Sequence, residues 1–466
     1  MYNLKGDKMN TTENLMGTKK ITPLLLSMSI PPMISMMIQA LYNIVDSIFV
    51  ARLSPDALTA VSLAFPMQNL VLALSVGFGI GLNACIARKL GAKNYKAVEQ
   101  TATHGFLLTA LHSILFMLIG IFVTKPFLSI FAQNDQILNM SCSYTYIVII
   151  CAFGQLLHLY AEKIFQATGN MITPMFIQGL GAIINIILDP ILIFGLFGLP
   201  AMGIAGAAIA TITAQIISCG VSFILFFQKK NPVKINFKDF KFSMDIIKSI
   251  YTIAIPSSLM IALPSVLVGI LNGILIGLSD FGVGVFGIYN KLQTFIVMPA
   301  GGVIQGLRPI MSYNYGAKNY NRMRESVKSA LTITGIIMFF GTLLFLALPK
   351  QIISLFNDDP EILKVGVSAL RIISVGFVVS TISIVLCGAF EALGHGMLSL
   401  KVSLLKSLLI IPPAAFIFSR FIGLYGVWIA FPLAELIASV AALILYKKFS
   451  KEIYPHNFKK NTRVIK

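Results

Sequence analysis

Long apolar stretches, separated by short polar ones, set the plan of this chain. Such stretches lie near 22–50, 58–84, 101–124, 141–166, 173–197, 203–227, 247–276, 283–310, 327–348, 365–389, 400–419 and 424–446. Each approaches or exceeds the roughly 20 residues that an α-helix needs to cross a bilayer. Short hairpins, GLFGLP at 195–200 and RFIGLYG at 420–426, part helices that would otherwise merge. The longest basic connection, KKNPVKINFKDFKFSMD at 229–245, splits the twelve stretches into two sets of six. The pattern therefore predicts an all-α membrane protein: a polar tail at 1–21, a first lobe at 22–228, a basic linker at 229–246, a second lobe at 247–446 and a tail at 447–466.

The two sets repeat one another. Gly-Ala-Lys-Asn-Tyr occurs at 91–95 and again at 316–320, an offset of 225 residues. At the same offset Ile30-Pro31 meets Ile255-Pro256, Leu53-Ser54 meets Leu278-Ser279, Gln68 meets Gln293, Gly77 meets Gly302 and Gly81 meets Gly306. Further on, Phe165, Ala167 and Gly169 meet Phe390, Ala392 and Gly394. Apolar helices match one another easily, but a constant register that carries Pro, Gly, Gln and a polar loop does not arise that way. With six spans in each half, both halves start and end on the same side, so they are parallel repeats. Such repeats are a recurring construction of secondary transporters, with the substrate site between them.

Composition narrows the class. Hydrophobic residues make up 56% of the chain, charged residues 12%, and mean hydropathy is +0.84. A soluble domain carries about a quarter charged residues, so these few could not cover a soluble surface. The net charge of +18 would suggest nucleic acid if it lay on one globular face. Instead most of the 36 Lys and Arg fall at the termini and in the loops after stretches 2, 4, 6, 8 and 10, Lys163 and Arg308 counted among them. Arg52, Lys125, Lys350, Lys364 and Arg420 fall on the other side, and Lys291, Arg371 and Lys406 lie inside stretches. This asymmetry predicts both termini in the cytoplasm, an inner-membrane location and no nucleic-acid partner.

No GxxxxGK[ST], HExxH or GxSxG motif occurs, so neither ATP hydrolysis nor an enzyme is supported. The five cysteines are scattered without metal-ligand spacing, so no metal or other cofactor is expected. The energy source expected is an ion gradient.

Ionisable groups within a bilayer are expensive, and each marks a candidate site. Asp46, Glu162 and Asp189 qualify in the first half. Gln39, Asn43 and Asp46 follow i, i+4, i+7 spacing and predict one polar stripe, while Asn185 and Asp189 share a helix face at i, i+4. Pro190 removes a backbone donor beside Asp189. His158 and Gln166 flank Glu162 at four residues on either side. Such carboxylates would act as a coupled set that takes up and releases a proton, or would pair with a cationic substrate or Na⁺. Two of them have a plainer reading: Glu162, next to Lys163, also fits an interfacial position, and Asp46 also fits a capping or loop-facing one. Glu435, Lys291 and Arg371 are the inner charges of the second half, expected to form an internal ion pair. His104 and His112 are read as packing residues. Met33, Met36 and Met37 fit a lipid-facing or core position, or a plastic drug pocket.

The stretches IPPMISMMIQALYNIVDSIFVARLSPDALTAV at 30–61, FQATGNMITP at 165–174 and NIILDPILIFGLFGLPAMGIAGAAIAT at 185–211, with their second-half echoes, resemble the multidrug and toxic compound extrusion (MATE) family. The resemblance spans nearly the whole chain. It implies two six-helix lobes around a V-shaped cavity, exporting bulky, often cationic organic compounds as a monomer in exchange for H⁺ or Na⁺. The family's first-span acid would be Asp46, and its first-lobe polar site would include Asn185 and Asp189. Glu162 looks like the extra pocket acid of the MepA-like bacterial branch. Spans 7 and 10 offer Asn272 and Arg371 where the NorM-like branch keeps acids, which argues against a second-lobe Na⁺ site and favours H⁺ coupling in the first lobe. The substrate site expected is Gln39, Asn43, Asp46, Glu162, Gln166 and Asp189. The rival is a lipid-linked oligosaccharide flippase of the related superfamily, which would favour a cationic cavity.

Overall fold

A computed structural model describes residues 15–228, 231–279 and 281–453. Of the tails expected at 1–21 and 447–466, residues 1–14 and 454–466 lie outside the described residues, and the last helix continues to Ile453. Those described fold into helices and connecting loops without a strand.

The first half comprises α1 (Ile21–Ala51), α2 (Pro55–Gly91), α3 (Tyr95–Phe131), α4 in two segments (Asp135–Ile150 and Phe153–Ala167), α5 (Ile172–Phe194) and α6 (Gly203–Phe226). The second half comprises α7 (Met244–Ile276), α8 (Gly282–Gly316), α9 (Tyr320–Ala347), α10 (Pro360–Ala392), α11 (Gly396–Ile422) and α12 (Leu424–Ile453), with a short helix Pro349–Ser354 between α9 and α10. Ten of these are long and apolar enough to span a membrane, and α4, bent by 42° between its segments, adds an eleventh. The twelfth, α8, is 35 residues long; Asn290, Lys291, Gln293, Gln305 and Arg308 dilute its apolar character.

The repeated pentapeptide is helix punctuation. The backbones of Lys93 and Lys318 are both left-handed, at φ 57°. This ends α2 and α8 and turns the chain for the next helix. Asn94 Oδ1 then accepts from Ala97 N at 3.1 Å, and Asn319 Oδ1 from Arg322 N at 3.4 Å. These are N-caps that satisfy donors the first turn cannot pair itself. Each half needs the same turn between its second and third helix, so each half spells it the same way.

The halves meet where α2 crosses α7 and α1 crosses α8. A Cβ on Gly81 would fall 2.5 Å from the carbonyl oxygen of Ile250, and one on Gly306 would fall 3.0 Å from that of Met28. Only glycine permits backbones to approach so closely. Towards the end that bears the Gly-Ala-Lys-Asn-Tyr turns, one core joins both halves and includes Leu24, Ile86, Leu90, Ile250, Ile310 and Phe390. Towards the other end the cores separate: Leu271, Phe286, Phe377 and Trp428 belong to the second half, while Val50, Tyr144 and Ile193 belong to the first. The result is two lobes joined at one end and parted at the other.

The linker is not free. Val233 is fully buried, and three groups on one face of α3 hold the extended segment that follows it. Thr103 Oγ1 accepts from Asn236 N at 3.0 Å, Gln100 Oε1 from Lys241 N at 3.1 Å, and His104 Nε2 from Ser243 N at 2.9 Å. His104 is therefore structural. His112 also serves packing: its Nε2 lies 2.7 Å from the Tyr251 hydroxyl.

Candidate functional site

Two polar clusters occupy the first lobe, one built on Asp46 and Asp189 and the other on Glu162. The deeper group forms because α1 and α5 lie side by side and each carries an acid five residues before its end. Asp189 is fully buried. Asn185, one turn earlier, donates its Nδ2 to Asp189 Oδ1 at 3.3 Å and to Thr211 Oγ1 of α6 at 3.4 Å. Asp46 faces Asp189 closely enough for one carboxyl to hydrogen-bond the other. Asp46 Oδ1 and Asp189 Oδ2 are both buried without a partner. A single proton, or a cation, placed between the two groups would supply what is missing. The interior position excludes a capping or loop-facing role for Asp46.

The second group lines a cavity of about 340 Å³ enclosed mainly by α1, α4, α5 and α6. Glu162 Oε1 accepts from Lys163 Nζ at 2.8 Å and from Gln166 Nε2 at 2.8 Å. His158 Nε2 stands 4.0 Å from Glu162 Oε2, and its Nδ1 lies 2.9 Å from Ser222 Oγ. Gln166 reaches across to Gln305 of the second lobe at 3.4 Å. Glu162 is thus a cavity residue, 7% exposed, and not an interfacial one. Gln39 joins this wall and accepts from Gln178 at 3.3 Å. Asn185 touches the same cavity, so one side chain belongs to both groups.

Asn43 departs from the expected stripe. At 3.6 residues per turn it stands about 40° from Gln39 and about 60° from Asp46 on α1. That rotation leaves it exposed and outside the cavity wall. Of the three methionines, Met36 lines the cavity, Met33 packs against Gly302, and Met37 is exposed.

The second-half charges also differ from expectation. Lys291 and Arg371 are exposed, and Glu435 pairs instead with Lys406, at 2.5 Å. Lys163 and Arg308, tallied with the loops, lie within helices. Lys163 is 6% exposed. Span 10 does carry a carboxylate: α10 extends beyond its apolar stretch to include Glu391, which accepts from Arg308 Nη2 at 2.6 Å and from Ser257 Oγ at 2.8 Å. Glu391 was findable, because the offset of 225 applied to Gln166 lands on it. Lys163 had no such signal; its stem occupies space that Gly79 leaves open on α2.

Comparison with known proteins agrees with this architecture. The MatE family model matches twice, at residues 31–191 and 256–417, so the second match begins 225 residues after the first. The multidrug export protein MepA of Staphylococcus aureus (strain MSSA476) is 28% identical over 427 residues, covering 90% of this chain and 91% of its own. The FAD transporter of Shewanella oneidensis is 25% identical over 436 residues, covering 92% and 95%. The solved outward-facing conformation of a multidrug resistance MATE family transporter of the MOP superfamily superimposes with a TM-score of 0.89 at 25% identity. It covers 96% of this chain and 99% of the solved one.

Proposed function

The chain belongs to the MatE family of membrane transporters, and on that footing we propose that it exports bulky, often cationic organic compounds in exchange for protons. The observation that carries the coupling is the Asp46–Asp189 pair, whose facing carboxyls each keep one buried oxygen without a donor. A proton held between them satisfies both. Its loss leaves two unscreened charges and pulls on Asn185, which also borders the substrate cavity. Proton occupancy and cavity shape are linked through that one amide. The exchange is energetically adequate: one proton crossing roughly 150 mV releases about 3.5 kcal/mol, enough for a gradient of a few hundredfold in an uncharged compound, while one-for-one exchange with a monovalent cation is electroneutral and draws on the pH difference alone.

The lobes part at the end away from the Gly-Ala-Lys-Asn-Tyr turns. With the basic loops in the cytoplasm, as their charge favours, that end faces outward, and this state is the one that releases substrate and takes up protons.

A flippase reading draws on a different observation. Lys163 neutralises Glu162, so the first-lobe cavity is less acidic than its sequence suggests. Efflux of a cationic dye from reconstituted vesicles separates the two. Transport under a pH gradient alone, lost in Asp189→Asn, supports the proton exchanger. Transport under a Na⁺ gradient alone replaces the ion and keeps the exporter. No dye movement under either gradient favours the flippase.

A further inference from the structure

A second cavity of about 360 Å³ lies between the lobes, bordered by Met36 and Lys163 of the first and by Arg308, Glu391 and Lys406 of the second. Its charges are paired, but the pairs are polarised. In Arg308–Glu391 the guanidinium side chain is 18% exposed and the carboxylate 3%; in Lys406–Glu435 the ammonium side chain is 28% exposed and the carboxylate 11%. Each carboxylate sits behind its cation as an anchor, and the cation is the member turned to open space. Glu391 is held further by Ser257. Arg308 spends Nε and Nη2 on Glu391, which leaves Nη1 for a ligand. A lysine ammonium has three donors, and Glu435 takes one of Lys406's. Lys406 also lies on a π-helical stretch, Leu405–Ile410, a widened turn that in other helices often accompanies a functional site.

We propose that Arg308 and Lys406 form an anion subsite that receives the carboxylate or phosphate of a soluble amphiphilic substrate while its cationic or aromatic body occupies the first-lobe cavity. Met36, Lys163 and Gln305 border both cavities, so one elongated molecule can reach from one to the other. The preferred cargo is then zwitterionic rather than purely cationic. This rests on the export reading above and names the substrate class for it.

The test uses a matched pair of dyes, a cationic rhodamine ethyl ester and its free acid, which adds one carboxylate to the same rings. Binding to the purified full chain is followed by fluorescence polarisation in nanodiscs of zwitterionic lipid. The acid is expected to bind about tenfold more tightly than the ester, as one charge-assisted contact allows. Lys406→Gln should remove that preference and leave the ester's affinity unchanged. The double variant Lys406→Gln/Glu435→Gln, which strands no charge, should behave the same way if the single variant folds poorly. Equal affinities in the wild type, or a preference that survives both variants, would overturn the subsite and leave the export reading standing. Binding of neither dye would overturn both. If anionic lipid in the nanodisc abolishes the acid's advantage, the site takes a lipid headgroup, and the assignment to soluble substrates fails.

Discussion

A Cβ on Gly77 would lie 2.6 Å from the backbone nitrogen of Ser258, and one on Gly302 would lie 3.0 Å from that of Met33. Gly302 is Gly77 advanced by 225 residues, and Ser258 is Met33 advanced by the same number. The two lobe crossings are therefore one contact used twice, about a pseudo-twofold axis. Backbones at this distance leave no room for a side chain. Gly81→Leu, one turn further along the crossing, should cost about 1–3 kcal/mol through overpacking. The fall would appear as a lower thermal midpoint of the purified protein, and Gly306→Leu should cost a similar amount because it disturbs the equivalent crossing.

The Glu162–Lys163 pair gives a prediction of the opposite kind. Both side chains are 8% exposed, so removing one partner strands the other. Glu162→Gln should destabilise the protein by about 3 kcal/mol. The double replacement Glu162→Gln/Lys163→Met should recover most of that loss. Thermal unfolding of the three variants checks this, and a double variant no more stable than the single one would count against the pair.

Thr103→Ala deletes the acceptor for Asn236 N, a loss of about 1 kcal/mol by the usual worth of such a bond. Faster amide exchange should be confined to the stretch after Val233, with dye efflux unchanged.

Membrane sidedness can be read directly. Ala92 and Ala317 are exposed in the two equivalent turns. In a chain with its five native cysteines replaced, cysteine at either position should react with an impermeant thiol reagent only when the cytoplasmic face is open to it. Labelling of intact cells would place the basic loops outside.

Much of the architecture was legible because the repeat is written in residues with backbone duties. Gly91 and Gly316, Lys93 and Lys318, and Asn94 and Asn319 each do one job twice, so a fixed offset exposes them. Asp189 and Asn185 were legible for another reason: a helix periodicity places them on one face, and their 3.3 Å contact follows. Lys163 and Arg308 were not. Whether a basic residue near a helix end turns to water or inward depends on the facing helix. For Lys163 that is decided by Gly79, 84 positions away on α2, which no local pattern reports. Asn43 shows the same limit at finer scale, since i, i+4, i+7 spacing covers an arc wide enough to include an exposed residue. Glu391 was missed because the apolar stretch ends before the helix does.

The most direct test of the account counts protons. An outward-directed gradient of cationic dye, imposed on vesicles of reconstituted protein without any ion gradient, should move protons in the opposite direction, seen as a change of internal pH. Asp46→Asn and Asp189→Asn should still bind the dye and move no protons. Undiminished proton movement in either variant would contradict the assignment of coupling to this pair.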